Sequence, residues 1–303
     1  MSQELYCPKC KIVLSHKDGS LYCGTCARSY PDIDGIPCFI DRDLPVDSFD
    51  GELFEYIYET EQKHFWHIGR KEIIFDLICR LPTNIRDIRM LEVGCGNGSV
   101  LSYLKQHGIN IEGADIFIEG LKFCRQRIGP GGLYQADIMA LPFVQNYDMV
   151  GAFDVLEHLV DDDKALREIN TALKPGGLLL ITVPANKFVW SYWDEVSHHK
   201  RRYSEKEIKA KVEQSGFKIR RISHYMFFSF PLLVLVRLFN KYTTMKKTDY
   251  NIKDSNELKT VPIVNDILLL LLRLEKRMLR HMNFPFGASL LVLAEKQNSK
   301  SSL

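Results

Sequence analysis

Leu91-Glu92-Val93-Gly94-Cys95-Gly96-Asn97-Gly98 is the stretch whose reading decides the fold. The apolar run from Met90 to Val93 reads as a strand, three glycines follow at alternate positions, and Val100–Gln106 has helical apolar spacing. In a strand–glycine turn–helix unit the backbone N–H groups at the helix N-terminus face a ligand, and glycine permits both the tight turn and the close approach. The turn alone leaves the ligand open, because a dinucleotide in a Rossmann fold uses a similar loop. Three features narrow it: the spacing is GxGxG, Glu92 precedes it, and Asp115 ends the next strand, where a carboxylate can accept ribose hydroxyls. Asp137, in Gln135-Ala136-Asp137-Ile138, follows a third strand and suits an adenine amino group.

Outward from this loop the chain alternates apolar strand and amphipathic helix. Strands are expected at Met90–Val93, Ile109–Ala114, Tyr147–Phe153, Leu178–Val183 and Phe217–Ser223. Helices are expected at Ile118–Arg127, Asp163–Leu173 (stopped by Lys174-Pro175-Gly176-Gly177) and Ser204–Gln214, where Ser204 and Glu207 form a capping box. This rhythm predicts a mostly parallel α/β sheet covered on both faces. Before it, residues 51–80 have helical spacing, closed by Pro82, and the acidic, proline-interrupted stretch 41–50 reads as a linker.

Leu91–Gly98, Asp115, Ala136-Asp137, Phe153-Asp154-Val155-Leu156-Glu157-His158 and Leu173-Lys174-Pro175-Gly176-Gly177 occur in an order and spacing that resemble the class I S-adenosylmethionine-dependent methyltransferases, over about 85–225. The resemblance implies a Rossmann-like sheet of seven strands that ends in a β-hairpin. It also implies that Glu92, Gly94 and Gly96 line the methionine end of the cofactor, Asp115 with Ile116 the ribose, Asp137 with Ile138 the adenine, and that Phe153 and Asp154 sit beside it.

Methyl transfer needs aligned reactants and, for oxygen or nitrogen acceptors, removal of a proton. Asp154, Glu157 and His158 lie just past the fourth strand, at the sheet edge where ligands bind. His158 is a candidate base, a metal ligand together with the carboxylates, or a residue that shapes the pocket. The aromatic, cationic loop after the next strand offers His199 as an alternative base, Arg201 and Arg202 as a clamp for a carboxylate or phosphate, and Trp190, Trp193 and Tyr203 as walls for an acceptor. A solvated basic loop would read the same way.

At the N-terminus, Cys7-Pro8-Lys9-Cys10 and Cys23-Gly24-Thr25-Cys26 are two CxxC knuckles twelve residues apart, the pattern of a closed S4 zinc site. Met1-Ser2-Gln3-Glu4 does not open a signal peptide, so the expected location is cytoplasmic, where paired cysteines favour metal over disulfides. Tyr22–Cys26 and Tyr30-Pro31-Asp32-Ile33-Asp34-Gly35-Ile36-Pro37 resemble the Trm112-like zinc ribbons that accompany methyltransferases. Cys38, Cys79, Cys95 and Cys124 read as buried free thiols. The expected organisation is a zinc ribbon over 1–45, linker and helices over 46–84, and the catalytic domain over 85–303.

More than sixty residues separate Phe217–Ser223 from the last expected strand, Ala288–Ala294. This insertion, about 226–284, holds apolar runs edged by basic residues, and its longest uncharged run, between Arg221 and Arg237, is too short to span a bilayer. It suits a membrane surface, packing on its own sheet, or a homodimer interface. The 303 residues carry a net charge of +2, with 46% hydrophobic and 26% charged residues. These values exclude global disorder or coiled coil and supply no bulk attraction to nucleic acid. The leading expectation is a methyltransferase for a small or lipid-linked acceptor at oxygen or nitrogen. A zinc-ribbon RNA methyltransferase comes second and a non-catalytic scaffold third.

Overall fold

The computed structural model describes residues 4–40, 51–243 and 261–297, and side chains within those spans except at 51–53 and 238–243. The linker expected at 41–50 and the middle of the insertion lie outside the described residues.

The N-terminal segment contains only short strands: β1 (Ser15–Lys17), β2 (Ser20–Tyr22), β3 (Ser29–Tyr30), β4 (Asp32–Ile33) and β5 (Ile36–Pro37). The β4–β5 hairpin turns at Asp34-Gly35, both left-handed in φ (55° and 77°), the backbone for which a D-G pair is suited. Two helices follow within the stretch of helical spacing expected over 51–80, α1 (Gly51–Thr60) and α2 (Phe65–Ile78), separated at Glu61–His64.

The main domain runs β6 (Arg89–Val93), α3 (Ser99–Gln106), β7 (Asn110–Asp115), α4 (Ile118–Ile128), β8 (Leu133–Gln135), β9 (Tyr147–Phe153), α5 (Asp162–Ala172), β10 (Leu173–Pro184), α6 (Tyr192–Val196), α7 (Glu205–Gln214), β11 (Phe217–Tyr225), α8 (Phe230–Thr243), α9 (Pro262–Met278) and β12 (Ser289–Lys296). Seven strands form one sheet in the order β11-β12-β10-β9-β6-β7-β8. Pairing is parallel through β10-β9-β6-β7-β8 and antiparallel on both sides of β12. This is the seven-stranded, Rossmann-like sheet that the resemblance implies, with its closing hairpin and a helical insertion before the last strand. Its strands are apolar on both faces because helices cover both: Leu91, Val150 and Ile181 join one core with α5 and α7, while Met90, Met149 and Leu180 join another with α2, α3 and α4.

Two local expectations need correction. Lys174-Pro175-Gly176-Gly177 does not separate helix from strand. The helix ends at Ala172 and β10 already pairs at Leu173, with the Pro-Gly-Gly residues taken up in a bulge. Cys38, Cys95 and Cys124 are buried free thiols, but Cys79 is exposed, because it caps the end of α2 where the helix face turns to solvent.

The N-terminal segment docks on the free edge of the sheet. Cys38 bridges Gln135 of β8 in parallel, Phe39 N–H donates to the Gln135 carbonyl (2.8 Å), and Tyr6 N–H donates to the Pro142 carbonyl (3.0 Å). Lys11 Nζ donates to the Leu141 carbonyl (2.8 Å) and to Glu168 (2.5 Å). Leu14, Leu21, Tyr30 and Phe39 share a core with Ala136, Ile138, Leu141 and Phe143.

Candidate active site

The glycine turn lies at the C-terminal end of β6, the middle one of the five parallel strands, where neighbouring connections leave in opposite directions and a crevice opens. Gly94 has φ +67°, and a Cβ there would stand 2.3 Å from Val155 Cγ2, so only glycine fits beside the loop after β9. A Cβ on Gly96 (φ +49°) would meet nothing within 4 Å; it would enter the crevice. Asp115 braces the turn: Oδ2 accepts from Gly96 N–H (2.7 Å) and Oδ1 from Phe117 N–H (2.9 Å). From the other side, Asn97 Nδ2 donates to the Phe54 carbonyl of α1 (2.8 Å) and ties that helix over the loop.

The crevice is a cavity of about 770 Å³. Glu92, Gly94, Gly96, Asp115, Ile116, Asp137, Ile138, Phe153, Asp154, His158, Trp193, His199 and Arg202 all line it. Trp190, Arg201 and Tyr203 do not. Trp190 Nε1 reaches Glu195 (3.5 Å), the Arg201 guanidinium binds Asp162 (2.9 Å) and the Val160 carbonyl, and buried Tyr203 donates its hydroxyl to Asp162 (2.7 Å).

Residues outside the cofactor motifs and the aromatic loop complete the wall, those of the insertion as expected for a segment that forms or covers an apolar acceptor site. Phe54, His64, His67 and Arg70 come from α1 and α2, and Met226, Leu232, Leu233, Val236 and Leu268 come from the insertion. The sequence signal for His64 and His67 is the polar–aromatic string His64-Phe65-Trp66-His67 at the start of α2. Arg70 stacks on Trp66 (4.4 Å to the ring centroid) and forms a buried ion pair with Asp154. Asp154 also accepts from Thr182 Oγ1 (3.1 Å), and its backbone is left-handed (φ +57°), strained for an aspartate at a strand end. Its carboxylate is therefore already committed.

Two histidines meet edge to face at 4.8 Å between ring centroids, His158 after β9 and His199 after α6. His199 Nδ1 lies 2.8 Å from Asp194 Oδ1, and Asp194 is fully buried. Asp194 also accepts from Arg202 Nε (2.7 Å) and stands 3.5 Å from Arg237 of α8. Burial raises the Asp194 carboxyl, but the His199 hydrogen bond and the Arg202 and Arg237 guanidiniums outweigh it and hold it at about 2. Burial, reinforced by His199 and His198, pushes His158 down to about 3, so it is neutral at physiological pH. A ligand atom from each of Glu157, His158 and His199 lies within 4.8 Å of the others.

Glu92 is buried with Oε2 unpartnered, and burial raises its carboxyl to about 8 despite the Arg70 guanidinium nearby. An unpaired buried carboxylate oxygen costs free energy that a cationic ligand would recover. With the glycine cradle and Asp115 beside it, this donor set fits the amino and ribose groups of S-adenosylmethionine.

A family model described as a methyltransferase domain matches residues 65–222. The chain belongs to that methyltransferase family. Among curated relatives, the malonyl-[acyl-carrier protein] O-methyltransferase of Enterobacter lignolyticus is 29% identical over 132 residues, 41% of this chain and 52% of that protein. The fatty-acid O-methyltransferase of Mycolicibacterium smegmatis is 34% identical over 111 residues, covering 35% and 40%. The matched region spans about half the length or less of the curated relatives. A chain from the complex between the Haloferax volcanii Trm112 methyltransferase activator and a methyltransferase shares the fold, with a TM-score of 0.53 and 18% identity over 81% of this chain and 96% of that one.

At the N-terminus, the thiols of Cys7, Cys10, Cys23 and Cys26 converge within 4.8 Å, and the Cys7 and Cys26 sulfurs are 3.7 Å apart. A tetrahedral zinc site with bonds of about 2.3 Å requires a sulfur–sulfur edge near 3.8 Å, so the four thiols fit the metal.

Proposed function

We propose that this methyltransferase transfers a methyl group from S-adenosylmethionine to an oxygen or nitrogen of an acceptor that carries an apolar, lipid-like portion. One observation carries the reading. A single cavity has the glycine turn, Glu92 and Asp115 on one wall and Met226, Leu232, Leu233, Val236 and Leu268 of the insertion on another. Pockets lined mainly by apolar side chains, with few polar groups, bind apolar molecules and use the polar groups to orient them. The fatty-acid O-methyltransferase among the relatives supports an acceptor of this class.

The residue roles follow from chemistry. The cofactor supplies the activated methyl group. Glu92 takes its amino group, Gly94 and Gly96 admit its backbone approach, Asp115 and Ile116 hold the ribose, and Asp137 and Ile138 flank the adenine. Phe153 and the Arg70–Asp154 pair shape the methyl-donor end. His199 is the general base: its Nδ1 is engaged by Asp194, which leaves Nε2 to accept the acceptor's proton. His158, held neutral, packs against His199 and fixes its ring. Trp193 and Arg202 border the acceptor. Four cysteines hold a structural zinc ion in the ribbon, 1–45, and the catalytic domain is 85–303.

Calorimetry with S-adenosylmethionine, followed by transfer of labelled methyl groups to a detergent-solubilised lipid extract, tests the reading. Wild-type protein should bind the cofactor, Asp115→Ala should weaken that binding about ten- to a hundred-fold, and label should enter the lipid fraction. Absence of cofactor binding, or label found only in water-soluble products, overturns it.

A further inference from the structure

The insertion does more than close the cavity. α9 turns Leu272 and Glu275 inward, and Glu275 accepts from Phe228 N–H (2.8 Å) at the start of α8. Its outer face carries Ile263, Ile267, Leu270 and Leu274, spaced four, three and four residues apart, which is one helical stripe, and all four are exposed. On α8, Leu232, Leu235 and Val236 are also exposed. Ile263 is 75% accessible, Leu270 67% and Leu235 65%. Burying such side chains in an apolar medium is favourable, and leaving them in water is costly.

Two observations select the occupant. Leu232 and Val236 are exposed and also line the cavity, so the apolar surface runs continuously into the acceptor site. Charge is also segregated. Residues 226–284 contain ten lysines and arginines against five aspartates and glutamates, a net +5, and after Arg237, Arg273, Lys276 and Arg280 pair with Asp194, Glu72 and Asp76 outside the segment a net +2 is left. An apolar stripe on a locally cationic segment complements an anionic lipid surface. Among the described residues no helix is long and apolar enough to cross a membrane, so the contact would be interfacial.

We propose that the outer faces of α8 and α9 seat on an anionic membrane surface, and that the acceptor enters the cavity from the lipid past Leu232 and Val236. The proposal rests on the lipid-acceptor reading above, but membrane seating is measured without any acceptor. Flotation with phosphatidylcholine vesicles, with and without phosphatidylglycerol, is the test. Full-length protein should float with the vesicles, at least several-fold more when phosphatidylglycerol is present. The triple variant Leu235→Ser/Ile263→Ser/Leu270→Ser, whose side chains lie outside the cavity, should partition at least ten-fold less while its melting temperature and cofactor affinity stay unchanged. No flotation of the wild type, or equal flotation of the variant, overturns the proposal. A dimer in sizing that the variant abolishes, without vesicle binding, overturns it in favour of self-association. If flotation succeeds but no lipid accepts label in detergent, the acceptor reading fails and the seating stands.

Discussion

Glu92 lies at the end of β6 and has the clearest pH consequence. Its carboxyl titrates at about 8 in the free protein, raised by burial and only partly countered by Arg70. A cationic ligand beside it favours the carboxylate, so its titration point falls on binding and a proton is released. Cofactor affinity should therefore rise with pH up to about 8, by as much as ten-fold per pH unit, and fall again above it as the ligand's own α-ammonium loses its proton. Calorimetry from pH 6 to 9 in two buffers of different ionisation enthalpy reads both the affinity and the released proton; Glu92→Gln should flatten the rising limb, and a pH-independent wild type refutes the assignment. The Asp194–His199 pair makes a separate prediction. His199→Ala should lower kcat about 10²- to 10⁴-fold. Asp194→Asn should lower kcat by a smaller factor and leave cofactor affinity unchanged, because Asp194 positions the imidazole and does not line the cavity. Equal losses in kcat and cofactor affinity would reduce Asp194 to a purely structural role.

α2 and α9 approach closely because Gly69 allows it: a Cβ at that position would lie 2.5 Å from Leu272 Cδ1. Gly69→Ala should destabilise the fold by about 1–3 kcal/mol through overpacking. Leu272→Ala in the same chain should recover part of that loss, a non-additivity that urea titration of the four proteins measures. Additive effects would mean that the two helices do not touch at that point. This contact also marks how far the sequence could be read. The glycine turn, Asp115, Asp137 and the Ser204–Glu207 capping box were legible because strand, turn and helix signals are local. The buried pairs were not. Arg70 reaches Asp154 across 84 positions and Arg237 reaches Asp194 across 43, and only the fold brings them together. Arg201 had the right chemistry for a clamp and Tyr203 for an acceptor wall, but the short turn to α7 directs them to Asp162 at the start of α5. A spacing pattern does not carry that orientation.

The N-terminal segment packs on the main domain beside the end of the cavity proposed to hold adenine. Tyr6 and Lys11 bind the carbonyls of Pro142 and Leu141, and Phe39 extends the sheet past Gln135, so the ribbon buttresses the segment that carries Asp137 and Ile138. Leu21 and Tyr30, which share a core with Ile138 and Leu141, lie on strands of three residues or fewer. Pieces this small do not hold their shape by burial alone, and a tetrahedral metal would supply the missing folding free energy. Four thiols with a 3.7 Å sulfur–sulfur edge predict one zinc ion per chain in metal analysis of the purified protein. Stripping it with a strong chelator should loosen the ribbon first, with amide exchange accelerating at 5–39 and then at 133–142, before the rest of the sheet responds. Cofactor affinity should fall with it, because the adenine wall loses its support while Glu92 and the glycine turn, braced independently through Asp115 and Asn97, keep theirs. Lys11→Ala should produce a milder version of the same loss with zinc still bound, which separates docking from metal binding. Faster exchange confined to 5–39, with cofactor affinity unchanged after chelation, would show that the ribbon folds on zinc but does not support the site.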